Sequence, residues 1–278
     1  MDFTKRIQKY VNVEDHETAV ARGADIVEIK YDGWWARVVV RSGVAQVFSR
    51  QGQLKAEKEV KALDGVYIGE YLVGTQRAVE GADGDTGVVK VFDCISVGCQ
   101  DVYLNSCVDR KMMAEKCISG CSFLKMAEHY PADRSEALWD EYVENGDAEG
   151  LVWKNSKEAY IGSTVWRRKQ VFTMDYVVIG VNEGGGRRKG MVGNLLCGLY
   201  EEGELVSKVK VGGGFTDIEG RYIFENFDEF KGRVLEVKGW HIFDSGSMRH
   251  PNAVRGVDSQ IRWREDKRPE ECVWPCHK

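Results

Sequence analysis

Residues 25–33 read Asp-Ile-Val-Glu-Ile-Lys-Tyr-Asp-Gly, and the fold is decided by how this stretch is read. Its apolar and β-branched residues favour an extended strand, Lys30 ends the run, and Asp32-Gly33 is a turn pair. A lysine on a strand face in a cleft serves as a nucleophile when burial and nearby cations lower its pKa, because only the neutral amine attacks. An ordinary surface lysine before a turn is the competing reading, and the nine residues alone favour it.

Further strands are expected on either side of that turn. ARVVVRS (36–42) and AQVFSR (45–50) alternate or run apolar, with turn signals at Ser42-Gly43 and Gln51-Gly52. Residues 54–62, LKAEKEVKA, have helical composition. VYIGEYLVG (66–74) and TGVVKVFDCISV (86–97) return to strand, and residues 108–129 and 133–145 carry apolar side chains at helical spacing. EGLVWKN (149–155) and a segment near Val165 are strands again. From Asp175 onward the strands shorten and glycines cluster, at 184–186 and 212–214, which suggests a small β-barrel built from DYVVIGV, GNLLCGLY, ELVSKVKV and RVLEVKGW. The boundary falls near residues 170–174. The expected organisation is an α+β domain over 1–172 and an all-β domain over 173–278.

Composition sets limits on function. The 278 residues suffice for two domains with cores, and 43% hydrophobic with 30% charged residues describes a globular protein rather than a disordered one. The opening MDFTKRIQKYVNVEDHE lacks the apolar run of a signal peptide, and no stretch is long enough to span a membrane, so an intracellular, cytoplasmic protein is expected. The eight cysteines include no CxxC pair, which favours reduced thiols, with a C-terminal zinc site around Cys272, Cys276 and His277 as the minor alternative. The net charge of −5 argues only weakly against nucleic acid, because local basic clusters exist at 167–169, 187–189 and 262–268.

The lysine of the opening stretch is followed in order by Ser49-Arg50-Gln51-Gly52, Gly69-Glu70, Phe92-Asp93, Glu149-Gly150-Leu151-Val152-Trp153-Lys154, Trp166-Arg167-Arg168-Lys169 and Arg264-Glu265-Asp266-Lys267. Each piece is weak, but the series, running from about Ile26 to Lys267, resembles the signature of the covalent nucleotidyltransferases, and specifically of ATP-dependent DNA ligases of the minimal two-domain type. The resemblance implies an α+β nucleotidyltransferase (ATP-grasp-like ligase) domain followed by an OB-fold barrel. It implies an enzyme that seals 3′-hydroxyl/5′-phosphate nicks in duplex DNA through lysyl-AMP and adenylated-DNA intermediates, using ATP and Mg²⁺.

By the same resemblance, Lys30 attacks the α-phosphate, with Lys154, Lys169 and Mg²⁺ as the positive neighbours that favour its neutral form. Lys169 and Arg167 clamp the phosphate, and Glu70 and Glu149 are metal ligands, Glu70 alternatively meeting a ribose hydroxyl. Phe92 stacks on adenine while the backbone at Glu28 and Ile29 meets the base edge. Arg50 receives the 5′-phosphate at the nick, Arg249 in Ser247-Met248-Arg249-His250-Pro251 contacts DNA, and Arg264, Asp266 and Lys267 orient the departing pyrophosphate. The last three lie in the second domain, so closure about a hinge near 170–174 is expected. A monomer gripping nicked duplex DNA, without a membrane, is the expected assembly.

Three positions depart from the pattern. Trp35 stands where the family places arginine, and Arg37, two residues on and on the same strand face, is the expected substitute, with Arg41 less favoured. Ile68 stands where aspartate is usual, and Arg167 where lysine is common. An RNA ligase or a capping guanylyltransferase would share the lysine chemistry, although the Arg264–Lys267 ending favours DNA ligase. An NAD-dependent ligase would need modules for which this chain has no room. A catalytically dead DNA clamp is the alternative from another class, and failure to label with ATP would favour it.

Overall fold

A computed structural model describes residues 8–73 and 87–274. These divide between Gln170 and Val171 into two compact units. The first contains β1 (Lys9–Asn12), α1 (His16–Ala21), β2 (Ile26–Lys30), β3 (Trp34–Arg41), β4 (Val44–Ser49), β5 (Leu54–Glu59), β6 (Gly65–Leu72), β7 (Val88–Val97), β8 (Gln100–Asp101), α2 (Cys107–Ile118), β9 (Leu124–Met126), β10 (His129–Pro131), α3 (Ser135–Leu138), β11 (Gly150–Lys154) and β12 (Thr164–Lys169).

Two sheets organise this unit. One has the order β1-β12-β11-β2-β10, the other β5-β4-β3-β6-β7-β8 with β9 paired to β7. Period-two alternation separates core from site on the first sheet. Val27 and Ile29 of β2, Leu151 and Trp153 of β11 and Trp166 of β12 point into one apolar core. Glu28, Lys30, Val152, Lys154, Val165, Arg167 and Lys169 alternate with them. On the second sheet Ala36, Val38, Val40, Ala45, Val47, Tyr67, Val89 and Val91 pack with Ala114, Cys117 and Ile118 of α2, while Ile68, Ile95 and Tyr160 form a smaller cluster with Trp35 and Phe92.

Three local expectations are corrected. Residues 54–59 form strand, not helix: β5 is an edge strand whose exposed face carries Lys55, Glu57 and Glu59, and charge on an edge strand blocks further pairing. The helix expected over 108–129 stops at Ile118; Gly120 follows at φ +75°, and the chain returns as β9 and β10. The segment 133–145 is helical but broken, a 3₁₀ turn at Ala132–Arg134, then α3, then a π-helical turn at Trp139–Glu144.

The second unit contains β13 (Phe172–Glu183), β14 (Val192–Glu201), β15 (Glu204–Val211), α4 (Asp217–Glu225), α5 (Phe227–Phe230), β16 (Val234–Gly239), β17 (His241–Ile242), β18 (Met248–Arg249) and β19 (Asn252–Ala253). Its sheet runs β15-β14-β13-β16-β19, with β17-β18 as a separate hairpin. The pairing does not close into a full barrel. The two edges meet through one bridge, Gly213 to Asn252, where the Ala253 N–H donates to the Gly213 carbonyl at 3.0 Å. A Cβ on Gly213 would lie 2.1 Å from the Asn252 side-chain oxygen, so that side chain would have to shift to admit one. The unit is not all-β either: α4 starts with a Thr216–Glu219 capping box and packs Ile223 into the core beside Phe230 of α5.

The seven described cysteines are all free thiols. Cys276 and His277, and with them the zinc alternative, lie outside the described residues. No described helix is long and apolar enough to cross a membrane.

Candidate active site

A cleft of about 530 Å³ opens in the first unit, lined from one sheet by Glu28, Ile29, Lys30, Val152, Lys154, Val165 and Arg167 and from the other by Trp34, Trp35, Ser49, Arg50, Lys55, Glu70 and Phe92. This volume suits a small-molecule ligand. Its lining carries five basic side chains against two acidic ones, so an anion is favoured locally although the chain is acidic overall.

Strand pairing sets the geometry around Lys30. Lys30 pairs with Gly150 of β11, and Gly150 pairs in turn with Lys169 of β12. Glu149, the residue before Gly150, donates its N–H to the Lys30 carbonyl at 2.9 Å. Its carboxylate accepts from the Lys30 amine through Oε2 and from the Lys169 amine through Oε1. A Cβ at Gly150 would sit 2.0 Å from the Arg168 carbonyl oxygen, so glycine is required where three strands bring the charged groups together. Burial raises the Glu149 pKa, but the Lys30 and Lys169 charges outweigh it and hold the carboxyl below its ordinary range. Burial pushes the Lys169 amine down, against the opposing pull of Glu149.

Glu70 belongs to the other sheet, paired between Trp35 of β3 and Lys90 of β7. Burial outweighs the pull of Lys30 and, with a smaller push from the neighbouring Glu149 charge, moves the Glu70 carboxyl up to about 7. Phe92 reaches the cleft by a register shift: Ile68 pairs with Asp93 and Gly69 with Val91, leaving Phe92 as the extra residue of a bulge. Asp93 is fully buried and receives Arg110 of α2 in a bidentate pair at 2.6 and 2.9 Å.

Lys154 lies elsewhere in the charge pattern than expected. Its amine is 2.8 Å from the Glu28 carboxylate and 4.9 Å from the centre of the Phe92 ring. Lys111 of α2, fully buried, approaches the same carboxylate at 2.8 Å. Burial opposes ionisation of Glu28, but the two lysines hold its carboxyl low; burial likewise opposes the Lys154 charge, and Glu28 holds its pKa up. Lys154 is therefore the partner of Glu28 rather than a free cation beside Lys30. Ile29 points its side chain into the core and offers the cleft its backbone edge.

Arg37 does not take the place expected of it. It shares a strand face with Trp35, but its guanidinium lies over Phe48 at 5.4 Å and it is not among the residues lining the cleft. Arg50, which does line it, lies over Trp35 at 5.3 Å. Arg167 lines the cleft as well, its Nε donating to Asn12 at 2.8 Å.

The second unit holds a separate charge cluster. Arg264 donates to Asp266 through Nε and Nη2, each at 2.9 Å, and to Asp175 through Nη1 at 2.9 Å; the Lys267 amine donates to the same Asp175 oxygen at 2.9 Å. Arg264 holds the Asp266 carboxyl down at about 2. Arg249 lies on β18, paired with His241. Reading the sequence missed Lys111 and Asp175. A lysine in an amphipathic helix and an aspartate opening a strand carry no local sign of a partner distant in the chain.

No family model matches the chain. The fold is that of the ligase nucleotidyltransferase domain followed by an OB-fold domain. A solved structure named Pmar-Lig_Pre has a TM-score of 0.68 and 18% identity, covering 93% of this chain and 68% of that one. A solved structure of the Lig E DNA ligases, described as binding DNA with a minimal scaffold, has a TM-score of 0.61 and 17% identity, covering 89% and 98%. In sequence the chain is similar to curated DNA ligases. That of Pyrobaculum calidifontis is 26% identical over 252 residues, covering 75% of this chain and 43% of the relative. That of Methanococcoides burtonii is 26% identical over 293 residues, covering 88% and 52%. The chain thus spans about half the length of the curated relatives it matches.

Proposed function

We propose that this chain is an ATP-dependent DNA ligase that seals nicks through AMP carried on Lys30. The observation that carries the reading is the Lys30–Glu149–Lys169 chain beside a basic cleft, with Glu70 reaching in from the second sheet. A half-buried amine anchored on a carboxylate that it shares with a second lysine suits attack on phosphorus, where positioning and charge neutralisation dominate the barrier.

In the first step the Lys30 ammonium gives up a proton, the neutral amine forms an N–P bond to the α-phosphorus of ATP, the bond to the bridging oxygen breaks, pyrophosphate leaves, and the new P–N nitrogen sheds its second proton to solvent. Lys169 and Arg167 carry the positive charge facing the α-phosphate, Phe92 offers its ring to the base, and the Glu28–Ile29 edge offers backbone groups. Lys154 and Lys111 fix Glu28 beside that edge. In the second step a 5′-phosphate oxygen at the nick, received by Arg50, displaces Lys30 from the AMP phosphorus. In the third the 3′-hydroxyl displaces AMP and closes the strand. Arg264, Asp266 and Lys267 orient the pyrophosphate in step one, and Arg249 contacts DNA.

Mg²⁺ fits the carboxylates present. Glu70 is a half-buried acid whose carboxyl burial and Glu149 push up to about 7, and a divalent cation would offset the charge it and Glu149 carry when both are ionised. Glu70 and Glu149 are the residues that would hold it, and when bound it supplies charge neutralisation at the phosphate oxygens. A cytoplasmic monomer acting on nicked duplex DNA completes the reading.

The test is a sealing assay on a duplex with one 5′-phosphorylated nick, with ATP and Mg²⁺. Wild-type protein is expected to seal the nick, and Lys30→Ala to seal neither that substrate nor show ATP consumption. Equal sealing by Lys30→Ala would overturn the reading, as would a wild-type protein that binds the duplex without sealing it.

A further inference from the structure

Asp175 of β13 stands directly opposite Glu236 of β16. Two carboxylates in register on one sheet face repel, and such pairs are destabilising unless cations intervene. Here three cations from the segment after β19 do: Arg262 reaches Glu236 at 3.0 Å, and Arg264 and Lys267 both reach Asp175 at 2.9 Å. The backbone of that segment is pinned alongside, the Arg264 N–H donating to the Val234 carbonyl at 2.9 Å and the Arg262 N–H to that of Val254 at 2.9 Å.

The depth of each partner identifies the anchor. The Asp175 side chain is 9% exposed, and its Oδ1 is buried without a hydrogen-bond partner among the described residues. Asp266, the other acid on Arg264, is 69% exposed. Arg264 and Lys267 are intermediate, at 25% and 31%. A fixed, buried carboxylate holds one side of both cations. An arginine has five N–H donors and a protonated lysine three, so two N–H groups of each remain outside the bonds to Asp175 and Asp266.

Resting on the reading of Arg264 and Lys267 as the pyrophosphate-orienting pair, we propose that Asp175 is their positioning residue. Its single oxygen Oδ2 sets the spacing and direction of both cations as one unit, so that their outward donors meet a departing pyrophosphate together. Asp175 itself touches neither ATP nor DNA. Such pre-organisation lowers the barrier only in the step that generates pyrophosphate.

The experiment compares the 278-residue wild-type chain, Asp175→Asn and Asp175→Ala in three measurements: lysyl-AMP formation from ATP, sealing of a pre-adenylated nick, and thermal midpoint. Asp175→Ala is expected to slow lysyl-AMP formation about tenfold or more, equivalent to roughly 1.4 kcal/mol of barrier. Sealing of the pre-adenylated nick should stay within about twofold of wild type. Asp175→Asn, which keeps the shape and one acceptor but not the charge, should fall between and maintain the test if the alanine variant folds poorly. Adding Asp175→Ala to an Arg264→Ala/Lys267→Ala background should change nothing further, because the group it acts through is gone. Wild-type rates of lysyl-AMP formation in both variants would overturn the proposal alone. So would parallel losses in both steps that track the thermal midpoint, the mark of a merely structural role. A wild-type chain that forms no lysyl-AMP would instead overturn the ligase reading on which it rests.

Discussion

Glu70 is a carboxylic acid whose surroundings oppose its charge: burial outweighs the pull of Lys30, and Glu149 adds a smaller push in the same direction as burial. Its folded pKa of about 7 lies above the ordinary 4.5. The folded state therefore binds the proton more tightly, and the stability this contributes is fully present below pH 4.5 and is lost as pH rises through about 7. Glu70→Gln removes that dependence. Thermal midpoints of the variant measured from pH 5 to 8 without divalent cation should decline less with pH than those of wild type, and parallel curves would contradict the assignment. At this scale the residues gathered in the candidate site were in part legible in the sequence. Lys30, Glu149, Arg167 and Lys169 carry motif spacing, and strand alternation gathers them on one face. Lys111 and Asp175 were not legible, because each gains its meaning from a carboxylate or cations on another element. Arg37 was misjudged for a related reason: sharing a face with Trp35 does not fix where a long side chain goes, and Phe48, its cross-strand neighbour, holds it.

Among the elements, β11 bears the tightest constraint. Gly150 lies between β2 and β12, and an added methyl would press on the Arg168 carbonyl at 2.0 Å. Gly150→Ala must part the strands that align Lys30, Glu149 and Lys169, at a cost of about 1–3 kcal/mol or more. Gly185→Ala, whose methyl meets open space, should stay within about 0.5 kcal/mol of wild type. Urea denaturation of both variants checks this, and equal midpoints would show that the strands yield without cost. Most strands were legible from β-branched runs and turn pairs. The misreading of β5 has a physical cause: Lys and Glu favour helix by propensity, but on an edge strand they serve solubility, and pairing with Val44–Phe48 overrides propensity. The bulge that directs Phe92 to the cleft was beyond sequence pattern altogether, since it exists only in the register of β7 against β6.

For the whole chain, composition and local charge point in opposite directions. The net charge is −5, yet the cleft lining is basic and the Arg264–Lys267 segment adds a second cluster of cations in the other unit. The excess of acidic residues in the chain disfavours non-specific attraction of polyanions, while the basic cleft lining favours an anionic ligand locally. Both units are recognisable in the sequence as a mixed α+β half and a β-rich half, because hydrophobic period and glycine density change between them. The helices α4 and α5 inside the β-rich half were not anticipated. Everything proposed for the molecule depends on one amine acquiring a nucleotide. Peptide mass spectrometry of the wild-type chain after incubation with ATP and Mg²⁺ measures this directly. AMP is expected on the peptide containing Lys30 and on no other lysine. A fully unmodified chain, or AMP on a different residue with Lys30 untouched, would contradict it.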